Sequence, residues 1–263
     1  MSMLIRPLAV LLLLAMSVLR PAIAAPTLTI AAASDLVHCL AELNAGFQRA
    51  HPDADLRVTT GASGNFHAQI RAGAPYDVFL SADVEYPRAL AAAGLADAAS
   101  LLPYATGRLA LWTLRDDLDL SAGLAVLAAP GVERVAIANP DIAPYGRAAK
   151  AALEAAGVYP AVRPRLVFGE NIAQTAQFVL GGSVDAGIVS LSVVRSPKAV
   201  GIGHYQAIAP ALHPPLVQGA VITAHGRDNP LAAAYLDYLR SAEARAVFDR
   251  HGFLPPAPAG AAP

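Results

Sequence analysis

Two serines stand at points where the sequence changes from a strand pattern to a helix pattern. Ser34 follows the apolar run Leu28–Ala33, and Ser63 lies in the turn Gly61–Gly64. The first amides of a helix lack partners within the helix, and the helix dipole makes that end positive. Small neighbouring side chains also let a ligand come close to the backbone. Each serine therefore marks a corner at which a hydroxyl and backbone amides can bind an anion.

The second half of the chain has two corners of the same kind. Tyr145 and Ile172 each begin a predicted helix, after a short loop that contains Pro144 or Asn171. Two corners in each half suit an anion that is held between two lobes. The structural alternative is that Asn171 and the serines only cap their helices, and that Tyr145 and Ile172 are core residues.

Neutral donors are sufficient for such a site. A hydrogen bond to a charged group contributes about 1.5–3 kcal/mol, and micromolar affinity requires about −8 kcal/mol. A few preorganised donors therefore suffice without a lysine or an arginine. We expect Arg147 to lie on a solvated helix face; the alternative is a position near the second-lobe site, since it follows Gly146. We also expect Asp35 to point outward, because an acid in the first turn of a helix complements the dipole.

The four corners need a scaffold that brings strand ends together, and the chain's own pattern predicts one. Apolar, strand-like runs alternate with helix-like periodicity from residue 28 to residue 190, and a longer strand and two helices follow. Such alternation predicts an α/β fold of mostly parallel sheets flanked by helices. In these sheets ligands bind at the carboxyl ends of the strands, where helices begin.

The predicted elements divide into two lobes joined by two hinge segments, near Pro103–Thr106 and Tyr205–Ala209. The last strand and the last two helices return to the first lobe. The predicted boundaries are 25–105 and 207–254 for the first lobe, 106–206 for the second lobe and 255–263 for a flexible tail.

The first 24 residues have the features of a cleaved secretory signal. Arg6 precedes the apolar run Leu8–Leu19, which is too short for a membrane span. Ala22–Ala24 fits a small-x-small cleavage site, so we expect cleavage after about Ala24. The rival interpretation is an uncleaved anchor.

The composition excludes several other classes. The 263 residues carry a formal net charge of −1, so there is no basic excess of the kind that nucleic-acid binding requires. Cys39 is the single cysteine, which rules out an internal disulfide, and we expect it to be a small buried hydrophobic residue. The sequence has no C-x-x-C, no P-loop and no H-x-x-x-H, and we expect no cofactor.

An exported hydrolase with Ser34 or Ser63 as its nucleophile is the alternative from another class. The stretch Gly61–Asn65 is not a G-x-S-x-G elbow, because its last residue is Asn. We therefore expect a binding protein and not an enzyme.

Four stretches of the chain carry a family resemblance. They are "AAASDL", "GASGNFHAQIRAGAPYDVFLSAD", "NPDIAPYGRAAKAALEAAG" and "GENIAQTAQFVLGGSVDAGIVSLS". In this order they resemble the periplasmic molybdate-binding proteins of ABC importers, along nearly the whole mature chain. The resemblance implies a two-lobed periplasmic binding protein that closes on a tetrahedral oxyanion.

The resemblance also implies a role for each corner. Ser34 and Ser63 would each donate a hydroxyl and a backbone amide to the oxyanion, and Tyr145 and Ile172 would donate backbone amides. All four would contact the oxygens of the oxyanion and not its metal atom. Some members of the family add a tyrosine hydroxyl where this chain has Ser190, whose shorter side chain leaves this contact an open question.

The implied function is capture of molybdate, with tungstate as a close mimic, and delivery to the membrane permease of an ABC importer. The implied protein is a periplasmic monomer that needs no nucleic acid and no cofactor. Two alternatives stay open: another tetrahedral oxyanion such as sulfate or phosphate, and an oxyanion sensor without transport. Phosphate, which carries a proton at neutral pH, would become the next candidate if Asp35 pointed inward.

Overall fold

Two five-stranded sheets with helices packed on them form the fold. The computed structural model describes residues 25–256; the predicted signal and residues 257–263 of the predicted tail lie outside the described residues. The strands are β1 (Thr27–Ala33), β2 (Asp55–Gly61), β3 (Val78–Ser81), β4 (Leu102–Gly107), β5 (Leu109–Thr113), β6 (Val135–Ala138), β7 (Leu166–Gly169), β8 (Ala186–Ser190), β9 (His204–Ala207) and β10 (Leu216–Ile222).

The helices begin at the ends of strands and return the chain to the next strand. The α-helices of the described residues are α1 (Leu40–Ala50), α2 (Ser63–Arg71), α3 (Glu85–Ala92), α4 (Pro144–Ala155), α5 (Tyr159–Val162), α6 (Ile172–Leu180), α7 (Leu191–Val194), α8 (Pro230–Leu239) and α9 (Ala242–Arg250). Short 3-10 helices cover Ser34–Leu36, Ala98–Ser100, Leu120–Ala128, Arg163–Arg165, Pro210–Leu212 and His225–Asp228.

The predicted two-lobed α/β fold is confirmed, with one sheet in each lobe. The first sheet has the order β2-β1-β3-β10-β4 and the second has the order β7-β6-β8-β5-β9. Both sheets are mixed and not mostly parallel. β1 runs parallel to β2 and β3, whereas β10 runs antiparallel to β3 and β4. β6 runs parallel to β7 and β8, whereas β5 runs antiparallel to β8 and β9.

β5 and β10 run antiparallel to both of their neighbours. Each is the first strand after the chain passes from one sheet to the other. The segments predicted as simple hinges contain two strands, β4 and β9, which the sequence pattern did not indicate. Each is an edge strand with a single neighbour, β10 for β4 and β5 for β9. An edge strand tolerates a residue such as Pro103, which cannot donate to a ladder. The predicted residue boundaries of the lobes remain predictions.

Each lobe has its own apolar core. In the first lobe Leu28 of β1, Phe47 of α1 and Tyr235 of α8 are buried together. In the second lobe Trp112 of β5 lies in the core between its sheet and helices. Cys39 is buried as predicted. Among residues 25–256, no helix combines the length and the apolar character that crossing a membrane requires.

Candidate functional site

The four predicted corners meet at one cavity between the lobes. Ser34 and Ser63 from the first lobe and Tyr145 and Ile172 from the second lobe all line it. The cavity is small and nearly closed, with about 10 Å³ open to the centre of a water molecule. The structure thus brings all four predicted site residues together.

The serines do not act as helix caps. Ser34 begins a short 3-10 turn instead of the α-helix predicted from Leu36, and the cap residue of that turn is Ala33, with no side-chain cap bond. Ser63 is the first residue of α2, which also lacks a side-chain cap bond. The Ser63 hydroxyl oxygen accepts the Ala82 amide at 3.0 Å. A hydroxyl that accepts one bond keeps its own proton to donate, so Ser63 can still donate to a ligand.

The second-lobe corners are shaped by their cap residues. Pro144 occupies the first turn of α4, where its fixed φ suits a helix start and its missing N–H is not needed. Asn171 caps α6, as the structural alternative predicted, by accepting the amides of Ala173 and Gln174 at 3.0 and 3.1 Å. Tyr145 lies in the first turn of α4 and Ile172 in the first turn of α6. Their backbone amides therefore have no partner within their helices.

Asp35 does not point outward as predicted. Its exposed fraction is 1%, because the second lobe covers the turn on which it lies. Its Oδ2 accepts a hydrogen bond from the side-chain amide of Gln218. No partner for its Oδ1 exists in residues 25–256. Burial raises the pKa of Asp35 to about 6, since the ionised carboxylate loses its water.

Two further polar residues of this region were missed by the sequence analysis. The Gln218 side-chain nitrogen lies 3.3 Å from the Tyr145 hydroxyl, and the Tyr104 hydroxyl donates to the Gln218 oxygen at 2.8 Å. A signal was available for Gln218, because it is a polar residue inside the apolar run Leu216–Ile222. Tyr104 lies on β4, which was not predicted as a strand.

Arg147 keeps 40% of its side chain exposed, but its guanidinium pairs across the cleft, which the sequence analysis did not predict. Its guanidinium donates to the Asp83 carboxylate at 2.6 Å and to the Tyr86 hydroxyl at 3.0 Å. Both partners belong to the first lobe. The Gly64 amide also donates across the cleft, to the Ile142 carbonyl at 2.9 Å. These contacts show the two lobes closed on the cavity.

Ser190 lies behind the site and not in its lining. It is fully buried, and its hydroxyl oxygen is 2.9 Å from that of Ser192. Ser192 in turn donates to the Asp35 carbonyl of the other lobe at 2.8 Å. Ser190 therefore belongs to the packing between the lobes, and it is not among the residues of the described chain that line the cavity.

Uncharged hydrogen-bond donors dominate the cavity. No lysine, arginine or histidine of residues 25–256 lines it, and its donors are hydroxyls and the backbone amides of helix starts. Within the described part of the chain, no cluster of His, Cys, Asp and Glu side chains is suited to hold a metal ion. The arrangement can therefore bind a small anion through its oxygen atoms.

The chain has relatives along most of its length. Residues 28–254 match the family of bacterial extracellular solute-binding proteins. The chain is 39% identical to the molybdate-binding protein ModA of Azotobacter vinelandii over 73% of this chain and 76% of that protein. It is 37% identical to the molybdate-binding protein ModA of Rhodobacter capsulatus, over 74% and 75% of the two chains.

A solved structure agrees with this assignment. The periplasmic molybdate-binding protein of Azotobacter vinelandii matches with a TM-score of 0.81 and 31% identity, over 87% of this chain and 99% of that chain. The match extends over both lobes and the cleft between them. The chain therefore belongs to the family of bacterial extracellular solute-binding proteins.

Proposed function

We propose that this protein binds molybdate in the periplasm and delivers it to the permease of an ABC importer. The observation that carries the proposal is the closed cavity, which four helix starts line with uncharged donors from both lobes. The names of the relatives, molybdate-binding proteins in both cases, support the same ligand. Tungstate has the same shape and charge and is expected to bind in its place.

The roles of the four residues follow from their positions. Ser34 and Ser63 donate their hydroxyls and amides from the first lobe, and Tyr145 and Ile172 donate amides from the second. All contacts go to the oxide oxygens, and the metal atom has no direct protein ligand. The protein binds without a cofactor or chemical conversion, since members of a solute-binding family are carriers and not enzymes. It acts as a monomer.

Phosphate is the second candidate ligand, because of one observation on Asp35. This residue lines the cavity and has a buried carboxylate oxygen without a partner in the described residues. A protonated oxyanion needs such an acceptor, whereas molybdate and sulfate offer no proton. The other carboxylate oxygen already accepts a hydrogen bond from Gln218, and the printed names of the relatives favour molybdate over phosphate.

Calorimetric titration at pH 7.5 with molybdate, tungstate, sulfate and phosphate tests the proposal. We expect tight binding of molybdate and tungstate alone. Binding of phosphate in preference to molybdate would transfer the assignment to the second candidate, and no binding of any of the four anions would contradict it.

Replacing either serine should weaken binding. Ser34→Ala and Ser63→Ala are each expected to lower the affinity for molybdate by about 1–3 kcal/mol, because each removes a hydrogen bond to a charged ligand. Calorimetry of both variants measures this loss. Ser183→Ala, on the surface of the second lobe, is the matched control and should bind like the wild type. Unchanged affinity in both site variants would show that the oxyanion binds elsewhere.

A further inference from the structure

A buried polar cluster lies between the cavity and the passage from β4 to β5. It consists of Asp35, Tyr104 and Gln218 of the first lobe and the Tyr145 hydroxyl of the second lobe. The Tyr145 hydroxyl reaches the passage itself, because a Cβ on Gly107 would lie 2.2 Å from it. The cluster therefore spans the region about which the lobes must rotate when the cleft opens.

The burial of Asp35 depends on closure. The turn Ser34–Leu36 packs against α6 and α7 of the second lobe. Ser192 at the start of α7 donates to the Asp35 carbonyl. The Tyr145 hydroxyl lies beside the carboxylate, and this contact lowers the pKa of Asp35 by less than burial raises it. Gln218, in contrast, belongs to the same lobe as Asp35. Opening the cleft removes the second-lobe groups and lets water reach the carboxylate, while the bond to Gln218 can persist.

The closed state leaves this carboxylate poorly compensated. The titratable groups that face it are Tyr104, Tyr145 and Cys39, and burial raises the pKa of each, so all three are uncharged at neutral pH. No cation is among the groups that act on Asp35 in the described chain. A buried charge without a counter-ion is costly, and a dianion bound at the neighbouring Ser34 adds repulsion.

We propose that Asp35 is a positioning residue that keeps the empty cleft open. Closure buries its carboxylate, and the hydrogen bonds of a bound oxyanion must offset that cost. The empty and the loaded protein therefore differ in shape, and the affinity is lower than the donors alone would give. The inference rests on the proposed function, since it assumes an oxyanion in the cavity.

The first test compares two acids that lie near the cleft. Asp35→Asn keeps the size of the side chain and an acceptor for Gln218 but removes the charge. We expect it to bind molybdate about tenfold more tightly at pH 7.5, or better, because an uncharged group is buried at far lower cost. Asp83→Asn, which loses the ion pair with Arg147 across the cleft, should bind more weakly.

The affinity changes of the two variants are expected to have opposite signs. This distinguishes the inference from simple repulsion between any acidic side chain and the dianion. If removal of any negative charge helped a dianion to bind, both variants would bind more tightly, and the inference would be overturned. Asp35→Asn binding no tighter than the wild type would overturn it as well. The expected pair of results, tighter for Asp35→Asn and weaker for Asp83→Asn, supports it.

The pH profile gives a readout that a purely structural role would not produce. The closed state raises the pKa of Asp35 from its ordinary value of 3.8 to about 6, so the closed protein holds more protons between these values. The cost of closure is complete above about pH 6 and decreases as the pH falls. The molybdate affinity of the wild type should rise about fourfold from pH 7.5 to pH 5.5. Asp35→Asn should show no such rise, and equal pH profiles would contradict the inference.

A measurement without ligand keeps the inference testable even if molybdate does not bind. Spin labels at Arg71→Cys and Glu154→Cys, both exposed and in different lobes, report the separation of the lobes. We expect the empty wild type to be open and empty Asp35→Asn to shift toward the shorter, closed distance. Identical distance distributions would overturn the inference. Failure of every oxyanion to bind would overturn the proposed function alone.

Discussion

Gly64→Ala is expected to abolish tight molybdate binding while leaving the stability of the empty protein unchanged. A Cβ at Gly64 would lie 2.7 Å from the Ile142 carbonyl oxygen and 3.0 Å from the Ile142 Cα. Ile142 belongs to the second lobe, and both atoms are backbone, so they cannot give way as a flexible side chain would. The methyl group therefore keeps the lobes apart without disturbing α2 itself.

The expected loss is large because the second lobe supplies two of the donors. Without the amides of Tyr145 and Ile172, binding should weaken by about 3–6 kcal/mol, the contribution of two hydrogen bonds to a charged ligand. Calorimetry measures the affinity, and thermal unfolding without ligand measures the stability. Arg71→Ala, exposed on the same helix, is the control and should change neither. Wild-type affinity in Gly64→Ala would show that the lobes need not approach as closely as they do here.

Gly146→Ala is expected to damage both binding and stability. A Cβ at Gly146 would lie 2.2 Å from the Ala138 carbonyl oxygen and 2.8 Å from the Asn139 carbonyl carbon. These backbone atoms are in the same lobe, at the end of β6 on which α4 packs. The first turn of α4 must therefore move off the sheet, and it carries the Tyr145 amide and Arg147 with it.

The second lobe of Gly146→Ala should lose about 1–3 kcal/mol of stability, as is usual for overpacking. The Tyr145 amide should also be displaced from its position at the cavity. Thermal unfolding of the empty protein is expected to show a lower midpoint, and calorimetry a weaker affinity. Glu154→Ala, exposed on the same helix, should leave both near the wild-type values. An unchanged midpoint would mean that α4 does not pack as closely on β6 as the structure shows.

The two glycine variants form a pair with different outcomes for the same added methyl group. At Gly64 the obstructing backbone atoms are across the cleft, and the contact within the lobe, the Tyr86 hydroxyl at 3.0 Å, is the end of a side chain that can move, so closure is affected and not folding. At Gly146 they are within the lobe, so folding is affected too. The comparison therefore separates the contribution of lobe closure to affinity from the contribution of an intact second lobe.

The sequence alone predicts the corners because their signals are local. An apolar strand that meets small residues and then a helix start can be recognised from neighbours in the chain, and Ser34, Ser63, Tyr145 and Ile172 all have this context. The two-lobed fold follows from the alternation of such units. β4 and β9 were missed because an edge strand with one neighbour needs neither a continuous apolar run nor strict alternation.

The partners of Asp35 and Arg147 were not predicted because their surroundings are not local. Asp35 was expected to point outward because an acid in the first turn of a helix complements the dipole, and Arg147 was expected on a solvated helix face. The structure places the second lobe over Asp35 and places Asp83 of the first lobe against Arg147. The environment of each depends on how the lobes close, which the pattern of one segment cannot indicate.

The order of the strands has a consequence for how the chain folds during synthesis. The second sheet uses the continuous stretch from β5 to β9, whereas the first sheet needs β1 to β4 from before it and β10 from after it. The second lobe can therefore complete its sheet while β3 still has an open edge, a place where unfinished chains pair wrongly. β5 and β9 are neighbours, and the Ile208 amide donates to the Leu109 carbonyl at 3.0 Å. Once folded, the second lobe holds the end of β4 beside the start of β10, which lowers the loop-closure entropy of the last pairing in the first lobe.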